Sequence, residues 1–139
     1  KGPEEVFLEV TGNYSFRKKY QEIRKKYDTL VMKAKQVFDN GALFFDYGGD
    51  LSISADIANE LCYFYPQKYI AVAYKKEGVS NISLRGRNVK KVLERILAKL
   101  EHASGGGHDD AVGARIQTKD IKKFRELFLE EVENERSTH

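Results

Sequence analysis

At 139 residues with 41% hydrophobic content, the chain can build one packed domain without disulfide or metal staples. No apolar run approaches the roughly twenty residues that span a bilayer, and the polar start Lys1-Gly2-Pro3-Glu4-Glu5 lacks the core of a secretory leader, so a cytoplasmic protein without membrane contact is expected. A net charge of +3 permits nucleic-acid binding without requiring it, and the lone Cys62 excludes an internal disulfide and reads as a buried structural thiol.

In chain order, Val6, Leu8 and Val10 alternate as in a short strand within a polar lead, residues 1–15, that reads as a remnant of a preceding domain. From Phe16 the spacing changes to Tyr20, Ile23, Tyr27, Leu30, Val31, Ala34, Val37 and Phe38, which predicts one long helix over 16–40, ended by Asn40-Gly41. Its opposite side is basic, with Arg17, Lys18, Lys19, Arg24, Lys25 and Lys26 among others, and its length suits a rigid connector. The apolar run Ala42 to Tyr47 predicts a buried strand, and Ser54 is placed to cap a helix carrying Ile57, Ala58, Leu61, Phe64 and Tyr65 until Pro66 stops it.

Tyr69 to Tyr74 is continuous and β-favouring, as in a central strand covered on both faces. Gly78 turns the chain into Val79 to Arg85, where Ile82 and Leu84 share one face and Ser83 and Arg85 the other. Asn88 is placed to cap a helix with Val89, Val92, Leu93, Ile96, Leu97 and Leu100 inside, and Thr118 to cap a last one with Ile121, Phe124, Leu127, Phe128 and Val132 inward. The polar residues beyond Val132 read as a frayed tail. These elements predict an α/β domain over 41–135: a small mixed β-sheet flanked by helices and preceded by the long connecting helix.

Between the last two helices lies Ser104-Gly105-Gly106-Gly107-His108-Asp109-Asp110, followed by Ala111-Val112-Gly113-Ala114-Arg115. Three glycines are unfavourable inside a helix or strand, so a loop is expected. Two uses are open: a flexible linker, or an anion site in which backbone N–H groups turn toward a phosphate with His108 donating beside them. The small residues that follow, able to form a tightly packed strand, favour the second use. No metal-binding Cys/His spacing and no Ser/His/Asp arrangement is present.

Ser83-Leu84-Arg85-Gly86-Arg87 at a strand end, a helix, and then Gly-Gly-Gly-His with small residues after it form a pair of motifs that resembles the domain accompanying the catalytic domain of DHH phosphoesterases. The resemblance covers roughly Gly41 to Val132; Ala111-Val112-Gly113 departs from the usual Ala-Ala-Gly, and Asp109 and Asp110 add negative charge beside the supposed site. It implies that Arg85, Gly105, Gly106, Gly107 and His108 bind substrate phosphate, with Ser83 and Arg87 as accessories. It also implies that catalysis and manganese or a similar metal belong to an N-terminal DHH domain, so that this piece holds neither catalytic residues nor cofactor.

Within that family the basic helix and the Ser-Leu-Arg-Gly-Arg strand look most like archaeal RecJ-like single-strand exonucleases of DNA replication and repair, including the GINS-associated nuclease. The implied partners are single-stranded DNA or RNA, the DHH domain, and GINS or another replication protein. Three alternatives stand beside this. The domain could be an interaction module docking through Tyr63-Phe64-Tyr65, part of an oligoribonuclease or cyclic-dinucleotide phosphodiesterase, or the tRNA-binding end of an alanyl-tRNA synthetase.

Overall fold

A computed structural model describes residues 14–39 and 41–138. The strand expected over Val6 to Val10 lies outside them. The first helix, α1, is Tyr14–Ala34, and it is followed by β1 (Phe38–Asp39) and β2 (Ala42–Tyr47). A crossover through α2 (Ser54–Phe64) leads to β3 (Tyr69–Tyr74), which turns directly into β4 (Val79–Arg85). Then come α3 (Val89–Leu97), β5 (Ser104–His108), β6 (Ala111–Gln117), a short 3-10 turn at Thr118–Asp120 and α4 (Ile121–Thr138).

The six strands form one mixed sheet in the order β1-β2-β3-β4-β6-β5. Only β2 and β3 run parallel, as the helical crossover between them demands, while β3–β4, β4–β6 and β5–β6 are antiparallel. Helices divide the sheet into two cores. On one side α3 and α4 cover Phe44, Ala71, Ile82, Leu84, Val112, Ala114 and Ile116. On the other, α1 and α2 cover Leu43, Phe45, Tyr47, Ile70, Val72 and Tyr74. The central strand β3 is buried along its whole length, because both layers close over it.

Several expectations are corrected. The first helix stops at Ala34, well before Asn40, because Phe38 and Asp39 pair with Leu43 and Ala42 instead. Along its stripe Val31 and Ala34 are buried, whereas Phe16 and Ile23 are 46% and 37% exposed. Tyr27 ties α1 to α2 by donating to Glu60 Oε1 and the Asp56 carbonyl, and burial together with the Glu60 carboxylate raises its hydroxyl pKa. Phe64 is half exposed and Cys62 half-buried rather than buried.

None of the expected side-chain caps forms. Ser54 is already helical and its hydroxyl meets that of Ser83 at 3.1 Å, while Thr118 bonds to Ser80 and the Lys76 carbonyl. Nor does the chain fray after Val132. α4 continues to Thr138, and the buried Glu131 and Glu135 accept from Arg95 at 2.8 and 2.7 Å, with Lys99 adding a third bond to Glu131 at 3.1 Å. These ion pairs fasten α4 to α3.

Candidate functional site

The glycine run is a strand, not a loop. Ser104 to His108 lie at the sheet edge and pair with Arg115 to Ala111, and Asp109-Asp110 is the tight turn between. The partner strand decides this, because backbone pairing with β6 along its whole length outweighs the low strand preference of glycine. In an extended strand successive N–H groups point in opposite directions in the plane of the sheet. They therefore do not converge on a phosphate as a loop's would, and what β5 offers instead is a free edge of backbone donors and acceptors.

The three glycines divide between the two faces. A Cβ at Gly105 would lie 2.5 Å from the Gly113 carbonyl and 3.0 Å from Leu93 of α3, and one at Gly107, where φ is +147°, would lie 2.6 Å from the Ala111 carbonyl. Both are required by packing. Gly106 points the other way, and a Cβ there would meet nothing within 4 Å.

The face Gly106 shares is laid out by strand register. Arg85, Ala111 and His108 form one row across β4, β6 and β5; Ser83, Gly113 and Gly106 form the next; Asn81, Arg115 and Ser104 form the third. None of these residues is acidic, in a chain with 21 Asp and Glu. α2 borders the β4 column, and the β6 and β5 columns are open, with Gly113, Arg115 and all of β5 exposed.

At the head of this face sits Arg85. Its Nε donates to Asn59 Oδ1 on α2 at 2.7 Å, and its Nη1 donates to the carbonyls of Leu84 and Val112 at 2.8 and 3.4 Å. All three acceptors are neutral. Among the described residues no carboxylate pairs with this guanidinium, and burial lowers its pKa from the ordinary arginine value. A half-buried cation held in place by neutral groups favours an anion in front of it. His108 lies in the same row with only Ala111 between, so the two backbones are about 10 Å apart, two interstrand steps.

Of the two acidic residues in the turn, Asp110 has its carboxylate engaged at the start of α3. Asp110 accepts from the Asn88 N–H through Oδ1 at 3.0 Å and from the Gly86 N–H through its carbonyl, and the Asp109 carbonyl accepts from Lys90 N–H. The carboxylate thus occupies the N-terminus of α3, which stabilises negative charge. Asn88 does not cap that helix; it is left-handed, with φ 56°. A cavity of about 440 Å³ opens beside the turn, against His108 and Lys90.

Of the residues read as accessories, Ser83 is buried against Ser54, and Arg87 lines a separate cavity of about 580 Å³ with Tyr69 and Arg136. The structure therefore brings Arg85, Gly106 and His108 together on one face, with Ser83 on that face but buried against Ser54, and leaves Gly105, Gly107 and Arg87 off it. Asn59, Gly113 and Arg115 were missed. The period-2 alternation of Val112, Ala114 and Ile116 with Gly113 and Arg115 carried the signal for the last two. Asn59 had none, because a helix-to-strand contact leaves no local pattern.

Residues 25–134 match the DHHA1 domain. The chain belongs to the DHHA1 family. Its fold is shared with RecJ from Thermus thermophilus in complex with Mg2+, at TM-score 0.61 and 15% identity over 88% of this chain and 20% of that one. It is also similar to the C-Ala domain of Aquifex aeolicus alanyl-tRNA synthetase, at TM-score 0.55 and 16% identity over 67% of this chain and 95% of that one. A pGpG-specific phosphodiesterase from Vibrio cholerae superposes at TM-score 0.52 and 16% identity, over 88% of this chain and 44% of that one. The DHHA1 chain thus spans a fifth of the RecJ chain and under half of the phosphodiesterase. No curated protein matches it.

Proposed function

We propose that this DHHA1 domain is the substrate-binding part of a DHH-family phosphoesterase, a RecJ-like single-strand exonuclease, and that it holds a nucleic-acid phosphate between Arg85 and His108. The observation that carries this reading is the Arg85 guanidinium, half-buried, fixed by Asn59 and two carbonyls, and without a carboxylate partner among the described residues. Arginine's planar fork suits a phosphate, and its always-charged head has no other evident counter-ion on this face. The reading leaves metal and bond cleavage to an adjoining DHH domain.

In the full-length enzyme, Arg85→Ala and His108→Ala are each expected to reduce kcat/KM about ten- to hundredfold, the effect of losing a charge-assisted phosphate bond of about 1.5–3 kcal/mol. Arg85→Lys keeps the charge without the fork and should restore only part of the loss. Normal kinetics in these variants, with a lowered melting temperature, would overturn the assignment. The domain by itself is expected to leave labelled single-stranded oligonucleotides uncut in the presence of manganese.

A second role, docking to a replication protein such as GINS, is favoured by Tyr63 and Phe64 at the end of α2. They are 81% and 50% exposed and packed edge to face on each other. Calorimetry with purified GINS tests it; micromolar binding that is lost in Tyr63→Ala supports the role, and no heat at that concentration removes it.

A further inference from the structure

The phosphate reading uses one end of the open face; Arg115 stands at the other. It is exposed, it shares the face of Arg85 by register, and no acidic partner for it exists among the described residues. Along β6, Arg115 lies four residues from Ala111, the residue paired with Arg85, so the two arginine backbones are about 14 Å apart. The two guanidiniums do not converge on one phosphate, because Arg85 is anchored at its own end by Asn59 and the Leu84 and Val112 carbonyls.

Between the two arginines the floor is bare. Gly113 and Gly106 sit side by side, and internal packing requires neither: a Cβ at Gly106 would meet nothing within 4 Å, and one at Gly113 only the Ile82 carbonyl at an ordinary 3.8 Å. Neither has the left-handed backbone that demands glycine. A paired strip without side chains lets a ligand lie against the backbone.

We propose that a single nucleic-acid strand runs lengthwise over this face, one phosphate on Arg85 and a second, non-adjacent phosphate on Arg115, with the intervening nucleotides over Gly106 and Gly113. The span exceeds the distance between adjacent phosphates of one strand, so a dinucleotide engages Arg85 alone, and only a longer strand reaches Arg115. This rests on the Arg85 reading and extends it from a phosphate to a polymer.

The test is fluorescence anisotropy on the full-length protein, without divalent metal so that nothing is cut, using labelled oligothymidylates two and six nucleotides long. Arg85→Ala is expected to weaken both probes. Arg115→Ala is expected to weaken the hexanucleotide about tenfold, to lower its salt dependence by about one ion, and to leave the dinucleotide unchanged. Arg115→Lys should retain the salt dependence. If Arg115→Ala changes neither probe while Arg85→Ala changes both, the lengthwise path is wrong and the phosphate site stands. Equal weakening of both probes by Arg115→Ala would place Arg115 in the first phosphate site and also overturn the path. If Arg85→Ala is without effect, the phosphate reading itself falls, and the path with it.

Discussion

The two faces of the β4-β6-β5 half of the sheet treat the same residue types in opposite ways. On the side covered by α3 and α4, Arg95 is bonded to Glu131 and Glu135, and its pKa is raised first by the Glu135 bond. On the open side, Arg85 meets only neutral acceptors and its pKa is lowered by burial. Glycine divides likewise: Gly105 and Gly107 face neighbours that leave no room for a Cβ, and Gly106 faces empty space. Charges and glycines on the covered side are explained by the fold. Those on the open side are not, which makes that side the place to look for a ligand.

The sharpest way to break this contrast is to place a methyl group on each glycine in turn. Gly105→Ala and Gly107→Ala are expected to lower stability by about 1–3 kcal/mol, because backbone atoms of β6 must move. Gly106→Ala should change it by less than about 0.5 kcal/mol. Urea unfolding midpoints of the three variants decide, and equal losses would erase the distinction between the faces.

Next in size is a binding effect without a stability effect. Gly106→Val extends a branched side chain over the open face, and it is expected to weaken binding of a labelled hexathymidylate severalfold while leaving the unfolding midpoint near wild type. Anisotropy and denaturation on the same sample check both halves. Undiminished binding would mean that no ligand crosses that strip.

The covered side offers the converse test. Glu131→Gln removes the carboxylate that holds Arg95 and Lys99, and a loss of about 1–2 kcal/mol is expected without change in oligonucleotide binding. The smallest effect is that of pH. Burial pushes the Glu131 pKa up, but the bonds from Lys99 and Arg95 outweigh it and leave the value lowered. A carboxylate depressed in the folded state stabilises above its unfolded pKa of about 4.3, and that contribution is lost as pH falls through the folded value. Wild type should therefore lose stability more steeply than Glu131→Gln as pH falls below the unfolded value of about 4.3. Parallel acid limbs would show that this pair does not couple to folding.

Much of this was legible beforehand because it is local. Period-2 alternation put Ser83 and Arg85 on one face of β4, the all-apolar Tyr69 to Tyr74 announced a doubly covered strand, and the stripe from Val89 to Ile96 a covered helix. The failures share a cause. The caps expected at Ser54, Asn88 and Thr118 rest on local sequence alone, and each is overridden by a partner distant in sequence: Ser83, Asp110, and Ser80 with Lys76. Glycine propensity argued for a loop at 105–107, and pairing with β6 made it a strand.

The sequence by itself determined the order and type of most elements, the two-sided burial of β3, and the motif pair that carries the family, since these depend on side-chain period and composition. Only the tertiary structure decided that β6 inserts between β4 and β5. That insertion brings Arg85, His108 and Arg115 onto one acid-free face, sends Gly105 and Gly107 to the covered side, and turns Asp110 away to cap α3. Strand order and register are set by which surfaces pack best across the whole domain, and a one-residue slip would have moved every one of these side chains to the other face.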